Sequence, residues 1–338
     1  MLTRPAATTL RTCVYLLLIA NLFMSADAYA ARTRQIIRYD GVAIDVIVDG
    51  QGPAIVLLPS LARDSEDYDP VADGLAAAGY RVLRPQPRGI GASTGPMSGI
   101  SLHDFANDIA EVINQLGAGR AVIVGHAYGN WVARMTAVDR PDLVRGIVIA
   151  AAAAKQYPKE LTAAINVAGD PSKPVPDRLT ALRFAFFAPG NDPSIWLNGW
   201  HPEVRDAQRA AVAAVKQSDW WSGGHAPLLD LQGEQDPFKP ADKRNEMKDE
   251  FGDRVTVAVI HGASHALIPE QPQAVVDTLV AWIKTLPQHL RQKAERPFFI
   301  RSVIFCPLLP RLAAGRSLCH EMSDPALRSV CAGNADRR

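Results

Sequence analysis

Gly125-His126-Ala127-Tyr128-Gly129 is the stretch whose reading decides the fold. It follows an apolar run, Ala121-Val122-Ile123-Val124, and precedes a helical pattern from Asn130 to about Val138. A continuous apolar run suits a strand buried on both faces of a sheet. Glycines on either side of the turn suit a place where strand and helix backbones crowd and a Cβ would clash. The pattern predicts strand, sharp turn and helix, with Ala127 at the apex.

The same alternation runs outward in both directions. Gln35 to Tyr39 and Val42 to Val48 read as a hairpin around Asp40-Gly41, a strong turn dipeptide. Ala54 to Leu58, Tyr80 to Leu83 and Val144 to Ile149 read as buried strands, and Glu66 to Ala78 as a helix. Ser101, with Asp104 three residues on, caps a helix to about Leu116. From about Ala154 to His225 the pattern changes to short helical pieces rich in Phe and Trp, the place for a lid. Pro227 to Leu231 resumes the sheet, Ala241 to Phe251 is helical, Arg254 to Ile260 is the last strand, and Pro269 to Leu286 is a terminal helix. Strands alternating with helices predict a mainly parallel α/β sheet covered by helices on both faces.

Four marks then fall in order. They are Arg88-Gly89-Ile90-Gly91-Ala92-Ser93, the Gly125–Gly129 turn, Gly233-Glu234-Gln235-Asp236-Pro237 and Gly262-Ala263-Ser264-His265. Over about residues 34–287 the chain resembles the α/β-hydrolase superfamily. The first mark is similar to its R-G-x-G-x-S loop, and the other three to its nucleophile elbow, acid loop and histidine loop. The resemblance implies that Asp236 accepts a hydrogen bond from His265 and fixes its tautomer. It implies oxyanion donors at the backbone N–H of Tyr128 and of Leu61 or Ala62. It also exposes a departure: Ala127 stands where the family has serine, and a methyl group cannot attack a carbonyl. Ser60, in Leu58-Pro59-Ser60-Leu61-Ala62, is the candidate for a displaced nucleophile, although a loop serine is more often a turn residue. His126 and His261 read as packing or hydrogen-bonding neighbours, His103 and His225 as loop or surface residues, and the tryptophans as lid core.

Three readings of the missing serine stay open. In one, His265 and Asp236 act as a general-base pair on a small apolar ester-type substrate without an acyl-enzyme. In another, the chain is a non-catalytic ligand-binding protein of the same fold. In the last, Ala127 is an isolated exchange in an ordinary serine hydrolase. No metal or nucleotide motif is present, and the Gly-rich loop at Gly89 to Gly95 lacks the lysine of a phosphate loop.

The ends of the 338-residue chain have a different character. Arg4 and Arg11 precede a twelve-residue, mostly apolar stretch from Cys13 to Met24, and Ala28-Tyr29-Ala30 supplies a small-residue cleavage site. That predicts a signal peptide over residues 1–30 and export to the periplasm or medium. The apolar stretch is well short of the roughly 20 residues a spanning helix needs, so no stable membrane span is expected after cleavage. Residues 288–338 mix Arg, Pro and the cysteines Cys306, Cys319 and Cys331, and read as a poorly ordered extension. Net charge is +1, concentrated in that basic tail; the mildly acidic body gives no reason to expect nucleic-acid binding.

Overall fold

The computed structural model of the protein describes residues 32–287. The expected signal peptide and the C-terminal extension, with all four cysteines, lie outside the described residues.

Eight strands form one sheet in the order β1-β2-β4-β3-β5-β6-β7-β8. They are β1 (Thr33–Tyr39), β2 (Val42–Asp49), β3 (Ala54–Leu58), β4 (Arg81–Pro85), β5 (Ala121–His126), β6 (Val144–Ala150), β7 (Leu228–Gly233) and β8 (Val255–Ile260). β1 pairs antiparallel with β2 in full register from Thr33↔Val48 to Tyr39↔Val42. β2 is also antiparallel to β4, and every pairing from β4 to β8 is parallel.

β5 shows why the apolar run is continuous. Ala121 and Ile123 pack into the core layer that includes Phe105 and Ile109 of the helix Leu102–Leu116. Val122 and Val124 pack into the opposite layer, with Val71 and Leu75 of the helix Asp69–Ala77 and Val275 and Leu279 of the helix Pro272–Thr285. Both faces are covered, so no position on the strand is free to be polar. The Ser101 and Asp104 capping box is present at the start of the helix Leu102–Leu116.

Two helices start later than the periodicity predicts, for the same reason. Ser65–Tyr68 is a 3₁₀ turn, and the α-helix begins at Asp69 with Pro70 in its first turn. Leu267–Glu270 is likewise a separate short turn, and Pro272 opens the last helix. Proline has no N–H to donate and disfavours helical geometry in the residue before it, so it begins a helix and does not continue one.

Between β6 and β7 lies a helical insertion: Lys159–Ala168, Val175–Ala185, the 3₁₀ turn Pro193–Trp196, Pro202–Ala213 and Gln217–Trp220. It has its own apolar cluster, including Leu161, Leu182, Phe186, Phe187 and Trp196, closed by Phe238 and Ala266 from the loops after β7 and β8. Backbone hydrogen bonds fasten it to those loops, from Ala266 to Phe186 at 2.8 Å and from Ala154 to Phe238 at 3.0 Å. No helix among the described residues is long and apolar enough to cross a membrane.

Candidate active site

The loops at the carboxyl ends of β3, β5, β7 and β8 converge on one cavity of about 300 Å³. That is where an open parallel sheet holds its ligand. Ser60, Leu61, Ala127, Tyr128, Phe238 and His265 line it from the sheet side. The helical insertion adds Tyr157, Thr162, Ile165, Phe186, Trp200, Arg209 and Val212, so the walls are mostly apolar.

The turn after β5 is sharp. Ala127 has φ 48° and ψ −111°, between the end of β5 and the helix Tyr128–Asp139. A residue with a Cβ rarely adopts that conformation. The neighbours enforce it: Ala127 N–H donates to Ala150 O at 2.9 Å, and Asn130 N–H donates to Ala127 O at 3.1 Å. The flanking glycines are obligatory. A Cβ on Gly125 would sit 2.3 Å from Gly129 O, and one on Gly129 would sit 2.7 Å from Leu58 O. Ala127 thus presents its methyl group to the cavity at the apex of the turn.

His265 and Asp236 meet across two loops. His265 Nδ1 lies 3.0 Å from Asp236 Oδ2 and 3.2 Å from Oδ1, with both side chains almost wholly buried. A carboxylate only accepts, so Nδ1 carries the proton and Nε2 is the free nitrogen of a ring that lines the cavity. Asp236 also accepts from Phe238 N–H at 2.9 Å, and the Phe238 ring lies against the imidazole at a centroid distance of 4.2 Å. Both contacts fix the orientation of the pair.

Beneath the pair runs a second buried chain of hydrogen bonds. His126 Nε2 is 2.7 Å from His265 O, an acceptor only, so Nε2–H donates. His126 Nδ1 must then accept from Tyr68 Oη–H at 2.8 Å, and Tyr68 Oη accepts from Ser60 N–H at 3.0 Å. Burial, with His265 adding to it, pushes His126 down to about 3, which keeps it neutral. This chain ties the loop after β3, the end of β5 and the loop after β8 into one unit.

The loop after β3 distinguishes the two expected oxyanion donors. Ala62 N–H donates to Gln208 Oε1 at 2.8 Å, so it is not available to a ligand. The N–H groups of Leu61 and of Tyr128, which opens its helix, have no partner among the described residues. The first N–H groups of a helix are left unpaired by its geometry and favour negative charge. Ser60 reaches the same cavity, its own N–H given to Tyr68.

Several residues that hold the site were not singled out from the sequence: Tyr68, Gln208, Arg209, Lys239 and Glu270. Glu270 accepts from Ser264 N–H at 2.7 Å and from Ala188 N–H at 2.6 Å, joining the histidine loop to the insertion. Gln208 carried a readable signal. It falls on the buried stripe Val204, Gln208, Ala211 of its helix, where an amide needs a partner. Two other histidines lie on the surface with acidic partners, His103 bonded to Asp139 and His261 to Glu234.

An eight-stranded sheet of this order, with a glycine-flanked turn after β5 and a His–Asp pair across the following loops, defines an α/β-hydrolase. Residues 55–278 match the alpha/beta hydrolase family, and the chain belongs to it. It is 26% identical over 246 residues to the (E)-2-((N-methylformamido)methylene)succinate hydrolase of Acinetobacter baylyi, a match covering 70% of this chain and 93% of that one. It is 30% identical over 152 residues to the soluble epoxide hydrolase of a Corynebacterium species, covering 45% of this chain and 49% of that enzyme. Among solved structures it resembles the esterase EaEST of Exiguobacterium antarcticum in fold, with a TM-score of 0.63 and 20% identity over 75% of this chain and all of the other (100%).

Proposed function

We propose that this protein is a hydrolase of small, mostly apolar ester-type molecules that works without an elbow serine. In this reading Ala127 occupies the nucleophile position and is inert. His265 Nε2, freed by the Nδ1–Asp236 hydrogen bond, takes a proton from a water molecule as that water attacks the substrate carbonyl, and returns it to the alcohol oxygen as the ester C–O bond breaks. The Tyr128 and Leu61 N–H groups face the oxygen on which charge develops. The observation that carries the reading is the buried His265–Asp236 contact of 3.0 Å at the wall of a cavity that also holds Ala127. A site used only for binding has no need of an imidazole whose tautomer is fixed this way. General-base and oxyanion contributions of about 10²–10⁴ and 10²–10³ do not depend on a covalent nucleophile. The similarity to enzymes named as hydrolases of an amide-bearing succinate and of epoxides supports hydrolysis as the reaction type. The helical insertion acts as the lid, and the pocket it closes is the substrate site. Export after loss of residues 1–30 completes the proposal; N-terminal sequencing of the mature protein should begin at Ala31.

The test is hydrolysis of p-nitrophenyl esters of increasing acyl length, with a fluorophosphonate probe in parallel. Turnover should fall about 10²–10⁴-fold in His265→Ala, and the probe should label nothing. Turnover equal in both proteins sinks the general-base reading. Labelling of Ser60 would move the nucleophile to the loop after β3. Absence of any turnover would leave the non-catalytic binding protein as the better reading.

A further inference from the structure

The cavity has one charged side chain in its wall that the proposed chemistry does not use. Arg209 reaches it from the helix Pro202–Ala213. One Nη2–H donates to Asn166 Oδ1 at 2.8 Å, a neutral partner. No ion pair involves Arg209 among the described residues, although the neighbouring Arg205 pairs with Asp206. No aspartate or glutamate lines the cavity. Partial burial, with Arg205 nearby, lowers the Arg209 guanidinium from its usual range against a weaker opposing pull from Asp206 and Tyr157. The geometry is therefore a half-buried guanidinium fork, held at one nitrogen by an amide, at the edge of an apolar space whose walls carry no carboxylate.

We propose that Arg209 is a specificity-determining residue that reads a carboxylate, so that the preferred ligand is an apolar molecule bearing one acidic group. The inference rests on the cavity being the ligand site, as proposed above, but not on any turnover there. Asn166 fixes the fork from one side, and its remaining donors form charge-assisted hydrogen bonds to both carboxylate oxygens. Thr162, one turn before Asn166 on the helix Lys159–Ala168, brings a neutral hydroxyl to the same wall. The apolar body lies along Ile165, Trp200 and Val212. The division of labour follows the chain: loops of the sheet carry the His–Asp pair, and the insertion carries the residue that selects the acid. An amide or ester in place of the carboxylate offers no charge, and the guanidinium would lose water without an anion to replace it.

The experiment compares 4-phenylbutyrate with 4-phenylbutyramide, near-isosteric molecules in which a neutral amide replaces the carboxylate, by isothermal titration calorimetry on the full-length protein. The carboxylate should bind about tenfold to a hundredfold more tightly, as expected for hydrogen bonds to a charged group. The preference should collapse to about threefold or less in Arg209→Gln and return only in part in Arg209→Lys, which restores the charge but not the two-pronged fork, with thermal unfolding confirming that both variants fold. Equal affinity for the two molecules in the unaltered protein overturns the proposal. So does absence of binding by both, or a preference that survives in Arg209→Gln, which would assign the charge recognition to another group in the cavity wall. The measurement needs no catalysis. If His265→Ala hydrolyses esters as well as the unaltered protein, the catalytic reading falls while the carboxylate preference stands or falls by itself.

Discussion

Ala127 concentrates the questions about chemistry at a single residue. Its backbone sits at φ 48° in a turn that both flanking glycines are required to close. The strain is therefore that of the elbow itself, with or without a hydroxyl on the side chain. Serine differs from alanine by one oxygen and suffers no greater conformational cost there. Ala127→Ser should fold normally and gain esterase activity on p-nitrophenyl acetate, because Ala127, Tyr128 and His265 line the same cavity and Asp236 holds the His265 ring. Nucleophile and base act as a unit, so the gain should be at least about a hundredfold and should vanish when His265→Ala is added. The readout is burst kinetics together with fluorophosphonate labelling at position 127. A well-folded Ala127→Ser that neither turns over nor labels would show that the imidazole is not placed to activate a group at the elbow.

At the scale of elements, the loops owe their positions in part to buried polar groups that their own sequences do not reveal. Lys239 and Asp230 form the plainest case. Asp230 lies in the middle of β7, wholly buried, and Lys239 reaches back to it from just beyond Asp236, with its side chain equally buried. The pair clamps the acid loop onto its strand, and the Asp230 carboxylate also feels the buried Arg134 guanidinium and the Gln232 amide. Lys239→Met should leave the buried Asp230 carboxylate without its ion pair, with only Arg134 and Gln232 to offset it, and cost about 3 kcal/mol, visible as a drop in urea midpoint. The double variant Lys239→Met with Asp230→Leu should recover part of that loss, since buried Arg134 then loses the Asp230 charge as well; no recovery at all would mean the clamp is not the source of the cost. Such contacts also explain what the sequence could and could not disclose. Strand β5, the elbow glycines, Asp236 and His265 were legible because each is fixed by a local pattern: an apolar run, a crowded turn, a loop after a strand. Lys239 and Arg209 were not, because their importance depends on what another element places opposite them. The late start of the helices at Asp69 and Pro272 was legible in principle from Pro70 and Pro272, but the apolar periodicity runs through both breaks and masks them.

Over the whole molecule, the sheet and the site share one buried polar chain, and its protonation state links global stability to pH. His126 ends β5, donates to His265 O and accepts from Tyr68, which in turn holds Ser60. Every partner in that chain is satisfied only by a neutral imidazole with its proton on Nε2. Burial places His126 at about 3 in the folded protein, against about 6.5 for a histidine in an unfolded chain. Between those values the unfolded state binds one more proton than the folded state, so acidification favours unfolding. The stability contributed by a neutral His126 is thus fully present above about pH 6.5 and is lost progressively as pH falls toward 3. At pH 5 the loss from this one group should be about 2 kcal/mol, at 1.36 kcal/mol per pH unit. Urea unfolding at pH 7.5 and pH 5 measures the total, to which other groups also contribute. The comparison with His126→Gln isolates the single residue. Glutamine can still donate to His265 O but takes up no proton, so its stability should fall less between the two pH values, by about 2 kcal/mol. An identical pH dependence in the two proteins would mean that His126 is protonated in the folded state, and that the hydrogen-bond directions assigned from Ser60 to His265 are wrong.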